Sequence, residues 1–289
     1  MTSDFPSCRV GMNMLLWTDL VTADHFPIFT ALKEAGFDGV EFPIHRGETR
    51  HYKQARAELD RVGLQATGIT SLLADTNAIS PDPAVRHAAS EHMKWALEMC
   101  SVLESDRLSG PFHSAFKEFS GKAPTEDEKK WSAEVMRGAA ELAGSAGIQL
   151  ATEFLNRFEC YLVTTAADAR ALVEAVDHPS FGMLFDTHHA HIEERDSAAS
   201  IRASSACIKH VHISENDRGV PGKGQVHFPE IFTALHEIGY DGWLTIEAFS
   251  RISPEFAAAI HIWRDFFDSI DDIYREGGPF IRRLWQETA

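Results

Sequence analysis

Cysteine is scarce and scattered in this chain. The four residues, Cys8, Cys100, Cys160 and Cys207, form no C-x-x-C pair and no compact framework. That excludes a disulfide scaffold and a soft thiolate metal site, and reads as free thiols in a reducing compartment. Basic runs are also missing: none exceeds two residues (Lys129–Lys130, Arg282–Arg283), and the formal net charge is −16. A nucleic-acid binder shows a basic face to phosphate, and an anionic membrane attracts the same charges, so neither partner is expected. No apolar run approaches the ~20 residues that span a bilayer. The N-terminus, MTSDFPSCRV, lacks a basic stretch followed by an apolar one, so no secretory leader is expected and the cytoplasm is the expected location. No Gly-x-Gly-x-x-Gly follows the first apolar run, which argues against a dinucleotide-binding open sheet.

What the sequence does contain is an alternation. Short apolar runs at Arg9–Trp17, Gly39–Phe42, Leu64–Thr70, Arg107–Phe112, Ile148–Glu153, Phe181–Asp186, Ile208–Ser214 and Trp243–Ala248 read as strands. Longer amphipathic stretches lie between them: Ala23–Ala35, His51–Val62, Pro83 to about Leu103, Glu126–Ala143, Ala166–Val176, Ser197–Ser205 and Pro229–Ile238. Helix is expected from Glu255 onward for at least five turns, with an amphipathic tail near Phe280–Trp285 that offers apolar surface. Gly63 follows its helix as a left-handed cap, and Thr125 is placed as an N-cap. Strand–helix alternation means parallel strands with helical crossovers, and closing eight such units gives a (β/α)₈ TIM barrel. The 289 residues read as one such domain with an extra C-terminal helical segment.

Barrel enzymes place their sites at the C-terminal ends of the strands. Four successive expected strands carry a ligand-type side chain there: Glu153, Asp186, His212 and Glu247. Three carboxylates held together repel one another, and a dication relieves that repulsion. Carboxylate and imidazole donors suit Mn²⁺, Mg²⁺ or Co²⁺. Past these strands lie more polar groups: Asn156 to Glu159, His188, His189 and His191, and Glu215 to Arg218. His210 shares a face with His212 by strand alternation, as a support for it, a deeper interior residue or part of the core. Trp17 at the end of the first strand is placed for stacking on a ligand at the rim, His113 ends the fourth strand at the same rim, and Met12, Met14 and Phe112 are wall or packing residues.

The segments Glu153-Phe-Leu-Asn-Arg-Phe-Glu159, Asp186-Thr-His-His-Ala-His-Ile-Glu-Glu194, His210-Val-His212-Ile-Ser-Glu-Asn-Asp-Arg218, Pro221-Gly-Lys-Gly224 and Gly239-Tyr-Asp-Gly242 leading to Glu247-Ala-Phe249 occur in that order. In these the chain resembles the ketose 3-epimerases of the D-tagatose, D-psicose and L-ribulose type, within the xylose-isomerase-like barrels. The resemblance implies a metal, usually Mn²⁺, on Glu153, Asp186, His212 and Glu247. It further implies that Glu153 and Glu247 are the catalytic acid/base pair, and that Glu159, His189 and Arg218 hold the O1/O2 end of the substrate. The implied reaction inverts C3 of a free ketohexose or ketopentose by deprotonation and reprotonation through a cis-enediolate, in a homodimer or homotetramer. An aldose–ketose isomerase or an inosose dehydratase of the same superfamily is the alternative. The Gly219–Gly224 loop reads as a pocket wall in preference to a phosphate cradle. Asn13, the Ala66–Ser71 stretch and Gly110–Phe119 depart from the pattern of the best-known members, in regions expected to face the distal carbons of the sugar.

Overall fold

The computed structural model describes residues 8–289, so most of the N-terminal stretch read for a leader lies outside the described residues. Eight strands close into a barrel: β1 (Arg9–Asn13), β2 (Gly39–Pro43), β3 (Gln65–Ile69), β4 (Arg107–Gly110), β5 (Gln149–Glu153), β6 (Phe181–Asp186), β7 (Ile208–Ile213) and β8 (Trp243–Ile246). Every pairing is parallel, and β8 returns to β1. The outer ring is α1 (Phe26–Glu34), α2 (Thr49–Val62), α3 (Pro83–Val102), α4 (Glu126–Ser145), α5 (Ala166–Val176), α6 (Thr187–Glu193), α7 (Ser197–Ala203), α8 (Phe228–Glu237), α9 (Pro254–Ala259) and α10 (Ile270–Glu287). No helix among the described residues is long and apolar enough to cross a membrane.

Local chemistry sets the boundaries. Thr125 caps α4 in a reciprocal box with Glu128, and Gly63 closes α2 at φ +75°. Four expectations need correcting. β1 ends at Asn13 instead of Trp17, because the Asn13 side chain accepts the Leu15 N–H and starts a tight 3₁₀ turn. β4 ends at Gly110 instead of Phe112: at φ +124° a Cβ there would lie 2.1 Å from the Thr70 carbonyl oxygen, so the chain turns. The helix expected from Glu255 is broken after Ala259, with His261 at φ +62°, and resumes at Ile270 under a Ser269 cap. The Phe280–Trp285 tail, expected to offer apolar surface, packs largely on its own barrel, with Phe280 against Phe228 and Trp285 against Phe232.

The barrel interior below the rim is unusually polar. Asn13, Glu41, Thr67, Ser109, His210 and His212 are all buried there. A buried carboxylate must find donors, and Glu41 on β2 finds them across the barrel. Its Oε1 lies 2.8 Å from His210 Nε2 and accepts from Ser109 Oγ at 3.0 Å. Its Oε2 lies 2.8 Å from His212 Nε2.

Candidate metal centre and active site

Glu153 closes β5, Asp186 closes β6, His212 lies one residue from the end of β7, and Glu247 follows β8 directly. All four are buried, and one ligand atom from each lies within 4.8 Å of the other three. His212 Nδ1 is 3.6 Å from Asp186 Oδ2, 3.6 Å from Glu247 Oε1 and 4.0 Å from Glu153 Oε1. Glu153 Oε1 and His212 Nδ1 are buried and make no hydrogen bond. Two unsatisfied polar atoms facing one space, inside a ring of three carboxylates, are what a bound cation would satisfy. The donor set fits a hard or borderline dication with oxygen and imidazole ligands.

Each donor is held from behind. The Glu41 carboxylate on His212 Nε2 turns the ring so that Nδ1 faces the cluster, as outer carboxylates do for metal-bound histidines. Asp186 Oδ1 caps α6 by accepting the His188 and His189 N–H groups, while Oδ2 accepts from Ser214 Oγ at 2.7 Å. Glu247 Oε2 accepts from Arg218 Nη1 at 2.9 Å, and Oε1 from Asn13 Nδ2 at 3.1 Å. Glu41, His210 and His212 also lie close together, but at hydrogen-bonding distances. Of the readings left open for His210, the structure favours an interior partner of Glu41.

The electrostatics follow from crowding. Burial first, and then the Glu247 charge, push the Glu153 carboxyl well above the ordinary carboxylate range. Burial would also raise Asp186, but Arg218, His189 and His212 outweigh it and hold it well below that range. Burial alone would lower His212, yet the Glu41 and Glu247 carboxylates raise it well above a free imidazole.

A cavity of about 420 Å³ opens at this rim. Glu153, Glu247, His189, Arg218 and Glu159 line its reactive end. His189 Nε2 lies 3.5 Å from Glu153 Oε1, and its Nδ1 accepts the Asn156 backbone N–H at 3.0 Å. Burial pushes this imidazole well below its usual pKa. Glu159 Oε2 accepts from Asn156 Nδ2 at 3.1 Å, and burial raises its carboxyl. Arg218 adopts φ +62° and lays its guanidinium over the Phe249 ring at 4.8 Å. His45, Thr70, Ser71 and His92 also line it, together with Phe256 of α9 and Ile260 just after that helix.

Two expected sugar contacts are not part of this lining. The turn after Asn13 carries Trp17 away, where it packs on the core and near Tyr274 of α10 at 6.3 Å. His113 lies beyond the Gly110 turn, fully buried, with Nδ1 2.9 Å from Ser114 Oγ, and burial pushes its imidazole down to about 4. Glu41 is the residue that motif reading missed. Its signal was present: a carboxylate between Val40 and Phe42 in a strand flanked by apolar residues on both faces.

Comparison with known proteins agrees with this geometry. The family model described as "Xylose isomerase-like TIM barrel" matches residues 29–281. A ketose 3-epimerase from Arthrobacter globiformis is 32% identical, over 95% of this chain and 96% of that one. Among solved structures, an L-ribulose 3-epimerase superposes with a TM-score of 0.91 at 28% identity, covering 97% of this chain and 95% of that one. A D-allulose 3-epimerase from Methylomonas sp., solved in complex with D-allulose, gives 0.89 at 26% identity, over 97% and 98%. The chain belongs to the xylose isomerase-like TIM barrel family and, within it, to the ketose 3-epimerases, isomerase-class enzymes that act on ketose sugars.

Proposed function

We propose that this protein inverts C3 of a free ketohexose or ketopentose, using Glu153 and Glu247 as a two-base pair at a divalent-metal site, with Mn²⁺ the best fit. The observation that carries the reading is that both glutamates belong to the ligand cluster and both line the cavity. Glu153, Asp186, His212 and Glu247 would hold the ion, which when bound polarises the C2 carbonyl and offsets charge developing on the sugar. One glutamate removes the C3 proton. The other returns a proton from the opposite face of the planar enediolate, which inverts the carbon. β5 and β8 are not adjacent in the barrel, so their glutamates reach the substrate from different directions. His189, Arg218 and Glu159, at the same end of the cavity, hold the O1/O2 side.

The lining also favours a free sugar over a phosphorylated one. Among the described residues around the cavity, Arg218 is the one Lys or Arg, whereas Asp19, Asp75, Glu153, Glu159 and Glu247 are acidic. Away from the ion, a phosphate would meet Asp19, Asp75 and Glu159 with Arg218 as its one fixed cation. Cytoplasmic location belongs to the same reading and fits the four free thiols. So does assembly as a homodimer or homotetramer, for which the exposed Trp263 and Phe266 offer apolar surface.

The test is turnover of D-fructose, D-tagatose, D-psicose and L-ribulose on chelator-stripped enzyme, with and without Mn²⁺. The expected result is metal-dependent appearance of the C3 epimer. Metal-loaded enzyme that gives an aldose or a dehydrated product instead would move the assignment to an isomerase or dehydratase.

A further inference from the structure

Asn13 is the last residue of β1 and is fully buried inside the barrel. Its Oδ1 accepts the Leu15 backbone N–H at 2.8 Å, which settles which end of the amide is oxygen. The NH₂ group therefore faces the other way, toward two carboxylates. Nδ2 donates to Glu41 Oε2 at 2.9 Å and to Glu247 Oε1 at 3.1 Å. An amide nitrogen carries two protons, so both are used.

These contacts give Glu41 and Glu247, which both lie beside His212, a direct link through one side chain. Glu41 Oε2 is also the oxygen that holds His212 Nε2. Glu247 Oε2 is held by Arg218, so Asn13 and Arg218 grip the two oxygens of one carboxylate. Arg218 also reaches Asp186 at 3.3 Å, so its grip on Glu247 is shared. An amide suits this place because it supplies donors without adding positive charge that would compete with a cation.

We infer that Asn13 is a positioning residue that ties the Glu41–His212 support to Glu247, so that metal affinity and proton transfer both depend on its NH₂ group. The inference rests on the proposed role of Glu247 at a divalent-metal site.

Asn13→Asp separates this role from a structural one. It keeps an oxygen for the Leu15 N–H and nearly the same shape, and replaces the donor group. The expected result is Mn²⁺ binding weakened about tenfold or more by calorimetry, and kcat at saturating Mn²⁺ lowered about ten- to hundredfold with KM little changed. Asn13→Leu, which adds no charge, should show the same two losses. Wild-type Mn²⁺ affinity and kcat in either folded variant would overturn the inference. A measurement without any variant bears on it equally: a crystal structure of the Mn²⁺-loaded wild type with Asn13 turned away from Glu247 would overturn it, and one that keeps both contacts would support it. Glu247→Gln, measured alongside, isolates the underlying reading. If that variant turns over normally, the two-glutamate scheme fails. If it is inactive while Asn13→Asp behaves as wild type, only the role of Asn13 fails.

Discussion

Strands β5 to β8 each deliver one side chain to the candidate ion cluster, while among the described residues β1 to β4 deliver none to it. The first half of the barrel supplies Asn13, Glu41, Thr67 and Ser109 instead, and these meet at or around the Glu41 carboxylate below the rim. The second half therefore carries the groups that would touch the metal, with part of their support in Ser214 and Arg218, and the first half adds a support around Glu41. The four candidate ligands and these first-half residues sit on strands except Glu247, which directly follows β8, and backbone hydrogen bonding there holds side chains within narrow limits. Another part of the cavity lining is built differently. His45, Ser71 and Asp75 lie on connections, His92 on α3, and Phe256 and Ile260 on or beside the short helix α9. Connections can vary without disturbing the ladder, which suits a wall that distinguishes one sugar from another.

That division can be tested from its largest expected effect downward. Glu153→Gln and Glu247→Gln remove the proposed proton-transfer groups and should each lower kcat by roughly 10²–10⁴, with unchanged circular dichroism. Substantial activity in either would mean that the β5–β8 half does not work as a two-base pair. Glu41→Gln leaves one acceptor oxygen where two imidazoles, Asn13 and Ser109 need acceptors. Mn²⁺ affinity should weaken about 10–100-fold, and the thermal midpoint should fall. Titration calorimetry and a melting curve check both, and wild-type affinity would remove the aiming role from the β1–β4 half.

On the wall the effects should be smaller and of another kind. Ser71 Oγ lies 3.4 Å from His45 Nδ1, and Thr70 Oγ1 lies 2.9 Å from His92 Nε2. Ser71→Ala or His92→Ala should shift the ratio of kcat/KM between two ketoses by up to about tenfold, the scale of one hydrogen bond, and leave Mn²⁺ affinity unchanged. An equal loss on every sugar would show that the wall does not discriminate. The smallest effect is expected for Trp17→Phe. Its ring is not part of the cavity lining, so kcat/KM should stay within about twofold, because no substrate contact is removed. A loss on the scale of a stacked sugar would restore the contact read from the sequence.

Much of this was legible beforehand because its signals are local. Strand–helix alternation carried the barrel, and the bounds of Ala166–Val176 and Phe181–Asp186 match the elements formed. Glu153, Asp186, His212 and Glu247 could be placed because each ends or closely follows an apolar run, and parallel strands bring such ends to one rim. The errors lie where a side chain or a tight backbone turn overrides pattern. Asn13 turned β1 away before Trp17, Gly110 turned β4 away before His113, and a left-handed His261 interrupted the expected last helix.

The amino-acid order by itself determined the fold class and pointed to the candidate ligands, since both depend on residue type and spacing along one chain. Only the tertiary structure decided how those ligands are held and what faces the sugar. Glu41 meets His212 across 171 residues of sequence, and Asn13 meets Glu247 across 234. Neither contact leaves a periodic trace, because closure of the barrel, and not neighbouring sequence, brings those atoms together.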